Sequence, residues 1–600
     1  MAQKFASLEN IRFLLHEVFK VERLTEFPYF SEHSRETFDL VIQTASRIAS
    51  ELLHPCFSDM DKNPPVYKNS EVIVHPLVRS FMAECGEGGW IAANSTFDAG
   101  GQQLPFTVTT ACYFLFASAN YSASVYPLLT TGAAHLIESF GSVDLKDTFI
   151  PRMYSGDWQG TMALTEPQAG SSLADITTKA VPLEAGVYRI KGQKIFISAG
   201  EHNGADNIVH LLLARIENAP AGIRGISLFV VPKSRPDSLG NLVSNDVVCS
   251  GVYHKLGYKG APITHLIFGD NDDCQGYLVG EANKGLSYMF QMMNEARLEV
   301  GTGAAAIASA AYHASLEYAN QRCQGRDVSS KDPSGPPVRI IDHADVKRML
   351  LFQKSMVEGS LGLIIQCSLY NDMKHSESED DRKKAELLLD LLTPVAKTFP
   401  SEMGILSVSS GLQILGGYGY CDEFPLEQLY RDARIHPIHE GTTGIQGLDL
   451  LGRKVLQNNG AAVKLFIKEV YLAVEKASAF EELIPYCEKM KKLMDKFQEV
   501  TMKLAGQAMT GAIKLFLADA TLYLEFFGLI AVSWQWLIQG TLACHALELG
   551  TGELPQAFYR SKVHTMKYFF HYEAPKISGF YERLTENLDI TVDVSEDLFM

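Results

Sequence analysis

The chain has 600 residues, 46% of them hydrophobic and 20% charged, with a formal net charge of −17. That length exceeds what one growing core serves, that composition leaves no long tract too polar to fold, and that charge repels nucleic-acid phosphates, so a disordered chain is excluded and nucleic acid is disfavoured as a partner. Ten cysteines lie scattered without a CxxC pair and read as reduced core thiols of a cytoplasmic protein.

The opening MAQKFASLENIRFLLHEVFKVERL carries Glu9, Glu17 and Glu22 among apolar residues and matches neither a secretory nor an acid-poor transit signal, leaving 1–34 as an N-terminal extension. FDLVIQTASRIASELL (38–53) has the apolar recurrence of an amphipathic helix and opens a helical domain over 35–155. Inside it the uncharged run 105–137, rich in Ala, Ser and Thr, reads either as a ligand-pocket wall or as close helix packing. Over 156–280 the texture turns to short β-rich runs, YRIKGQKIFIS, NIVHLLLARI, GISLFVVP and ITHLIFGD, punctuated by Gly, Pro, Asn and Asp.

Long helical patterns return over 281–455, a length that implies a helix bundle, with the Pro/Gly/Ser-rich stretch 327–338 as a surface loop between two of its helices. A further helical block fills 456–600 and ends in an acidic, irregular tail from 586. Its segment 526–547 is 22 residues without a formal charge, long enough to span a bilayer. Gly528, Ser533, Gln535, Gln539 and His545 instead favour a helix buried among others, without integral membrane insertion. The fold class is α+β and mainly α.

No GxxxxGK[ST] loop, strand–GxGxxG–helix unit, GxSxG elbow or HExxH is present, which removes support for nucleotide hydrolysis, Rossmann binding and serine hydrolysis. His436, His439 and Glu440 imitate a metal cluster, but Pro437 lies between the histidines and no third ligand run follows, so no metal site is expected.

MALTEPQAGSSLAD (162–175) followed by KGQKIFISAG (191–200) resembles the flavin-binding region of the acyl-CoA dehydrogenase family. MMNEARLEVG (292–301), GLQILGGYGY (411–420) and LYRDARIHPIHEGTTGIQGLDLLGRK (429–454) continue the resemblance in order. The length, IRFLLHEVFKVERL, the HEGTTGIQ signature and the block after Lys454 resemble a long bacterial branch with terminal extensions, which includes methylmercaptopropionyl-CoA and broad-range fatty acyl-CoA dehydrogenases. The resemblance implies an N-terminal helical domain, a central β-barrel and a C-terminal four-helix bundle, here with an extra C-terminal helical domain. It also implies FAD as cofactor, an acyl-CoA substrate, an electron-transferring flavoprotein as acceptor and a homodimer.

α,β-Dehydrogenation of a thioester needs a base against the α-carbon and an electron-poor acceptor for the β-hydride. By resemblance Glu440 is that base, and burial must raise it above the ordinary carboxylate range. The other position at which some members carry the base is Ala296 here, with Glu295 turned about 100° away along the helix. The resemblance also implies an oxyanion site made of the Glu440 N–H and a ribityl hydroxyl of FAD.

For the cofactor it implies Leu164 and Thr165 along the pyrimidine edge, Met162 as a further contact, Ser171 at the pyrophosphate or CoA, and Ser198 near N5. Phe196 stands where a Trp is usual and covers the ring, its alternative being a plain core strand residue. Arg322, Gln324, Gln413, Gly416 and Gly417 match residues that reach the FAD of a neighbouring subunit; the glycine pair also reads as a helix-ending turn. Thr442 matches a threonine near the FAD phosphates or ribose.

Asn294, Arg297, His439 and Gly441, with Ser171, complete the implied substrate contacts, Arg297 on the pantetheine arm. His439 replaces a frequent Tyr and reads either as an imidazole titrating near pH 6.5 that tunes Glu440 or as passive lining. Ser172 replaces a common Asp and Gly444 a common Gln, so contacts made by those side chains elsewhere are not expected here.

Two other readings share the fold. An acyl-CoA oxidase performs the same half-reaction and passes electrons to oxygen. A DNA-associated flavoprotein of the alkylation-response type needs a basic surface, whereas 455–600 holds 14 Lys plus Arg against 18 Asp plus Glu, a difference of −4.

Overall fold

The computed structural model describes residues 4–184, 186–237, 239–329 and 334–600, so 330–333 of the expected surface loop lie outside the described residues. The chain forms two compact units: Leu40–Pro105 with Leu115–Ala296, and Met1–Asp39 with Phe106–Phe114 and Arg297–Met600.

The first unit holds the sheet. Its strands are β1 (Trp158–Ala163), β2 (Lys179–Glu184), β3 (Val187–Ser198), β4 (Asn207–Ile216), β5 (Ile226–Pro232), β6 (Val247–Val252), β7 (Ile263–Phe268) and β8 (Gln275–Leu278). β2 pairs with both β3 and β4, β4 with β5, β5 with β8, and β8 again with β3, so five strands close into the expected barrel. The far half of β3 continues past the ring to pair with β7, and β7 with β6.

β4 and β5 are buried on both faces, which explains their unbroken apolar runs. Leu211, Leu213, Leu228 and Val230 pack with Ala133, Ile137, Phe149 and Met153. The uncharged run falls on the helix Phe106–Phe140, which bends at Asn120. Asn120 leaves helical geometry and its side-chain oxygen accepts from the Ala123 N–H, so it ends one segment and caps the next. A small hairpin, Val66–Lys68 with Glu71–Ile73, interrupts the region read as wholly helical.

The second unit is helical. Ala344–Asp372 and Glu379–Leu415 are its long bundle helices, and Ala520–Leu549 packs against them. The Trp536 indole donates to the Ser355 carbonyl at 3.1 Å, and a Cβ on Gly528 would lie 2.8 Å from the Phe399 ring. Among the described residues one helix, Ala520–Leu549, is long and apolar enough to cross a membrane, and 78% of its most apolar window is buried. The block expected as an additional domain therefore contributes a core helix to the bundle.

Two prolines shape Glu379–Leu415. Each removes a backbone donor and frees the carbonyl four residues earlier. Lys454 answers the first of these, Pro394, by donating to the Asp390 carbonyl at 2.6 Å. Next to Pro400 the freed Ala396 carbonyl lies 2.2 Å from where a Cβ on Gly301 would sit. Gly301→Ala is therefore expected to destabilise the protein by about 1–3 kcal/mol, read as a lower denaturant midpoint.

All ten cysteines are free and seven are buried, as scattered core thiols should be. Cys323 departs from that expectation because it lies in the exposed segment after helix Gly285–Gln321, and Cys56 and Cys421 are half-buried.

Candidate active site

Each unit carries one cluster of the residues singled out by sequence. In the barrel unit, β1 ends at Ala163 and the chain continues through Leu164 and Thr165 alongside β3. Thr165 accepts from the Ile195 N–H at 2.9 Å, which sets Leu164 and Thr165 beside Phe196 and Ser198. Ile197 pairs with Thr264 and Lys194 with Leu266, so Ile195 and Phe196 together oppose His265 in a β-bulge. Phe196 has φ +58° and is 57% exposed, which excludes a plain core role. A bulky residue held left-handed with its ring outward is uncommon, and the surrounding bulge must hold that backbone in place. The ring meets Tyr253 at 4.7 Å between centroids. Tyr253 also lines a cavity of about 640 Å³ with Tyr67, His254 and Lys259.

Lys194, which sequence reasoning passed over, holds this edge from behind. Its fully buried ammonium donates to the Leu164 carbonyl at 2.9 Å and to Glu166 at 2.8 Å. Glu166 also accepts from the N–H and hydroxyl groups of Thr177 and Thr178. Burial penalises the Glu166 charge, but Lys194 and these donors outweigh it and hold the carboxyl at about 2. A depressed carboxylate stabilises the fold fully above the unfolded value near 4.5, and that contribution is lost as pH falls through about 2. The melting-temperature gap between wild type and Glu166→Gln is therefore expected to be steady near neutrality and to close as pH falls from 4.5 toward 2.

Met162 and Ser198 are half-buried and Ser171 is exposed. Ser172 donates to Asp175 at 2.5 Å, a local turn contact. Asn294 is half-buried on helix Gly285–Gln321 and makes no hydrogen bond to the Leu164–Ser198 group among the described residues. Glu295 is engaged with His135 at 3.1 Å.

In the helical unit the turn from His436 to Thr443 carries the candidate base. Glu440 has φ +52° and Gly441 φ +89°. A Cβ on Gly441 would also lie 2.5 Å from the Gln446 amide, which itself donates to the Glu440 carbonyl at 3.3 Å. Thr442 caps helix Thr443–Asp449 by accepting from the Ile445 N–H at 3.3 Å, and Thr443 donates to Glu402 at 2.5 Å. Glu440 keeps solvent-exposed surface although protein crowds its carboxyl. Burial pushes it above its ordinary 4.5, with Lys397 and Arg297 pulling the other way.

Arg297 is buried and donates to Asp449 at 3.1 Å, which fixes it against the helix after the turn, while its Nε has no partner among the described residues. Lys397, the second residue missed from sequence, lies under the turn and donates to the carbonyls of His436 at 2.6 Å and Gly441 at 3.0 Å. The only sequence sign was a lysine inside the apolar run LLTPVAKTFP.

His439 does not titrate near pH 6.5 as one expectation had it. Burial, with the fields of His436 and Lys397, holds it neutral well below that value, and burial takes His436 down to about 3. The two rings pack edge to face at 5.4 Å, and no cluster of metal-binding side chains occurs among the described residues.

Arg322 and Gln324 are exposed and contact each other at 3.4 Å. Gln413 is exposed, and Gly416 ends helix Glu379–Leu415 with φ +60°. The helix-ending turn is thus present. A Cβ on either Gly416 or Gly417 would meet nothing within 4 Å, so the backbone there is open. Neither the Arg322–Gln324 pair nor Gln413 bonds to the Glu440 turn among the described residues.

Within the barrel unit, the outward Phe196 ring beside a strand end braced by Lys194 has the chemistry to stack on a flat heteroaromatic group such as a flavin ring.

Family models match most of the chain: acyl-CoA dehydrogenase N-terminal domain over 36–157, middle domain over 161–271, C-terminal domain over 339–456, and acetyl-CoA dehydrogenase C-terminal like over 463–595. The chain is 34% identical to 3-methylmercaptopropionyl-CoA dehydrogenase of Ruegeria pomeroyi, covering 96% of this chain and 98% of that one. It is 32% identical to a butyryl-CoA dehydrogenase of Syntrophomonas wolfei over 99% and 98% of the two chains. The solved structure of Caenorhabditis elegans ACDH-11 in complex with C11-CoA superposes with a TM-score of 0.75 at 22% identity, covering 99% of this chain and 97% of that one.

Proposed function

The chain belongs to the acyl-CoA dehydrogenase family of flavoprotein oxidoreductases, and from that premise we propose that it converts an acyl-CoA thioester to the 2-enoyl-CoA with Glu440 as base. The observation that carries the reading is Glu440 itself: a glutamate in left-handed backbone on a braced turn, its carboxyl made more basic by burial. Such a group takes a proton from carbon better than an ordinary carboxylate. The Glu440 N–H, on the same turn, donates to the thioester oxygen as charge gathers there. His439 and Gly441 line the thioester end, and Asn294, Arg297 and Ser171 hold the CoA arm.

FAD, when bound, supplies an electron-poor acceptor for the β-hydride. Met162, Leu164, Thr165 and Ser198 hold its ring edge, Phe196 covers its face, and Ser171 and Thr442 serve its phosphates. In this reading exposed Arg322, Gln324, Gln413, Gly416 and Gly417 serve a second copy of the chain, and the expected working form is a homodimer. The acceptor after reduction is an electron-transferring flavoprotein. The acyl chain itself is set by lining residues that the named motifs do not contain.

The test is direct. Purified protein, denatured and chromatographed, is expected to release FAD, and incubation with acyl-CoAs and an artificial electron acceptor is expected to yield a product lighter by two hydrogens. Release of no flavin, or thioesters returned unchanged, would sink the reading.

A further inference from the structure

We propose that Lys397 is a positioning residue for the base: its ammonium, buried inside the bundle, ties the carbonyls of His436 and Gly441 and so fixes the left-handed backbone at Glu440. The two carbonyls bracket Glu440, one four residues before it and one immediately after. A single side chain crossing that span joins both ends of the turn. The backbone between them is one that a residue with a Cβ adopts only when its surroundings enforce it. Other links share the turn, from Thr443 to Glu402 and to the Pro437 carbonyl, from Gln446 to the Glu440 carbonyl and from the His436 N–H to the Ala433 carbonyl, but Lys397 is the side chain that joins the carbonyls on either side of Glu440.

A buried ammonium is costly unless charges and dipoles compensate it, so its place here needs a reason. Lys397 is fully buried, on a helix whose neighbouring positions carry Pro394, Thr398 and Phe399. A packing role alone is met by Leu or Met without that cost. Two carbonyl dipoles and two acidic groups, Glu440 and Glu402, favour the charge, and Arg297 opposes it. His436 and His439, on the turn above, are neutral, and Glu525 on helix Ala520–Leu549 faces Glu402. Burial raises the Glu440 carboxyl and Lys397 is the cation that most restrains that rise, so one side chain acts on both the geometry and the basicity of the base.

This rests on the assignment of Glu440 as base, and the experiment separates the two. Holoenzyme carrying Lys397→Met is compared with wild type by hydrogen–deuterium exchange of the peptide over 434–446, and by the pH profile of anaerobic flavin reduction with an acyl-CoA. Exchange in that peptide is expected to rise by roughly an order of magnitude as the turn loses its tie. The acid limb is expected to move to higher pH, because Glu440 loses the cation that most restrains its rise. Lys397→Arg keeps the charge and loses the geometry; it is expected to raise exchange while leaving the acid limb near its wild-type position. Should the Met variant not accumulate as folded protein, Lys397→Gln carries the same two measurements. Unchanged exchange with a superimposable pH profile would overturn the inference. If Glu440→Gln reduces flavin as fast as wild type, the base assignment fails, and the exchange comparison still decides whether Lys397 fixes the turn.

Discussion

Glu440→Gln is expected to slow dehydrogenation on the order of 10²–10⁴-fold while leaving acyl-CoA binding in place. Gln has nearly the same volume and adopts the same backbone, so the turn tied by Lys397, Glu402 and Gln446 persists. What it lacks is a lone pair basic enough to take the α-proton. The wild-type profile adds a second expectation with a definite sign. Burial places the Glu440 carboxyl above 4.5, so the proton-accepting form is lost as pH falls through that raised value. The rate therefore declines on the acid side at a higher pH than a free carboxylate would give, and the Gln variant shows no such limb. Equal turnover by the two proteins, or loss of thioester binding along with turnover, would contradict this role.

Glu358→Ala is expected to be the most destabilising single change in the helical unit, costing about 3–5 kcal/mol. Glu358 is 6% exposed, accepts from Lys562 at 2.7 Å and is also paired with Lys354. Lys562 is fully buried, donates to Gln539 at 2.9 Å and to Asn10, and lies over the rings of Phe13, Trp536 and Phe558. Removing the carboxylate leaves two cations without their anion in a dry interior. Lys562→Met, which exchanges a buried charge for an apolar chain of similar length, is expected to cost far less, because Glu358 keeps Lys354. Thermal unfolding of both variants beside wild type checks the ranking, and comparable losses would contradict it.

Much of the fold was legible because local texture carries it. The β-rich runs of 187–198, 207–216 and 225–232 became barrel strands, the last two with unbroken apolar content that answers burial on both faces. The uncharged segment 526–547 became a buried helix, its Gln535 and Gln539 turned to the interior rather than to lipid. The positions of Glu440 and Phe196 were legible only through resemblance. What neither residue disclosed alone was its backbone strain, which depends on partners far along the chain.

The unread features share one cause. Lys397, Lys194 and Lys562 are ordinary surface residues by type, and each is buried by carbonyls or carboxylates from distant segments. Asn10 and Lys562 are separated by 552 residues, so nothing local announces that the N-terminal extension and the last helices interlock. The same holds for Tyr559 donating to Glu17 at 2.7 Å. His439 illustrates the reverse error: a histidine beside a base suggests a titrating partner, but burial decides its state and keeps it neutral.

The most direct measurement is anaerobic stopped-flow absorbance of the purified flavoprotein mixed with straight-chain, branched and cyclic acyl-CoAs. The account predicts rapid bleaching of the oxidised flavin by at least one acyl class, with the enoyl-CoA as product. An absorbance unchanged by every thioester would contradict it.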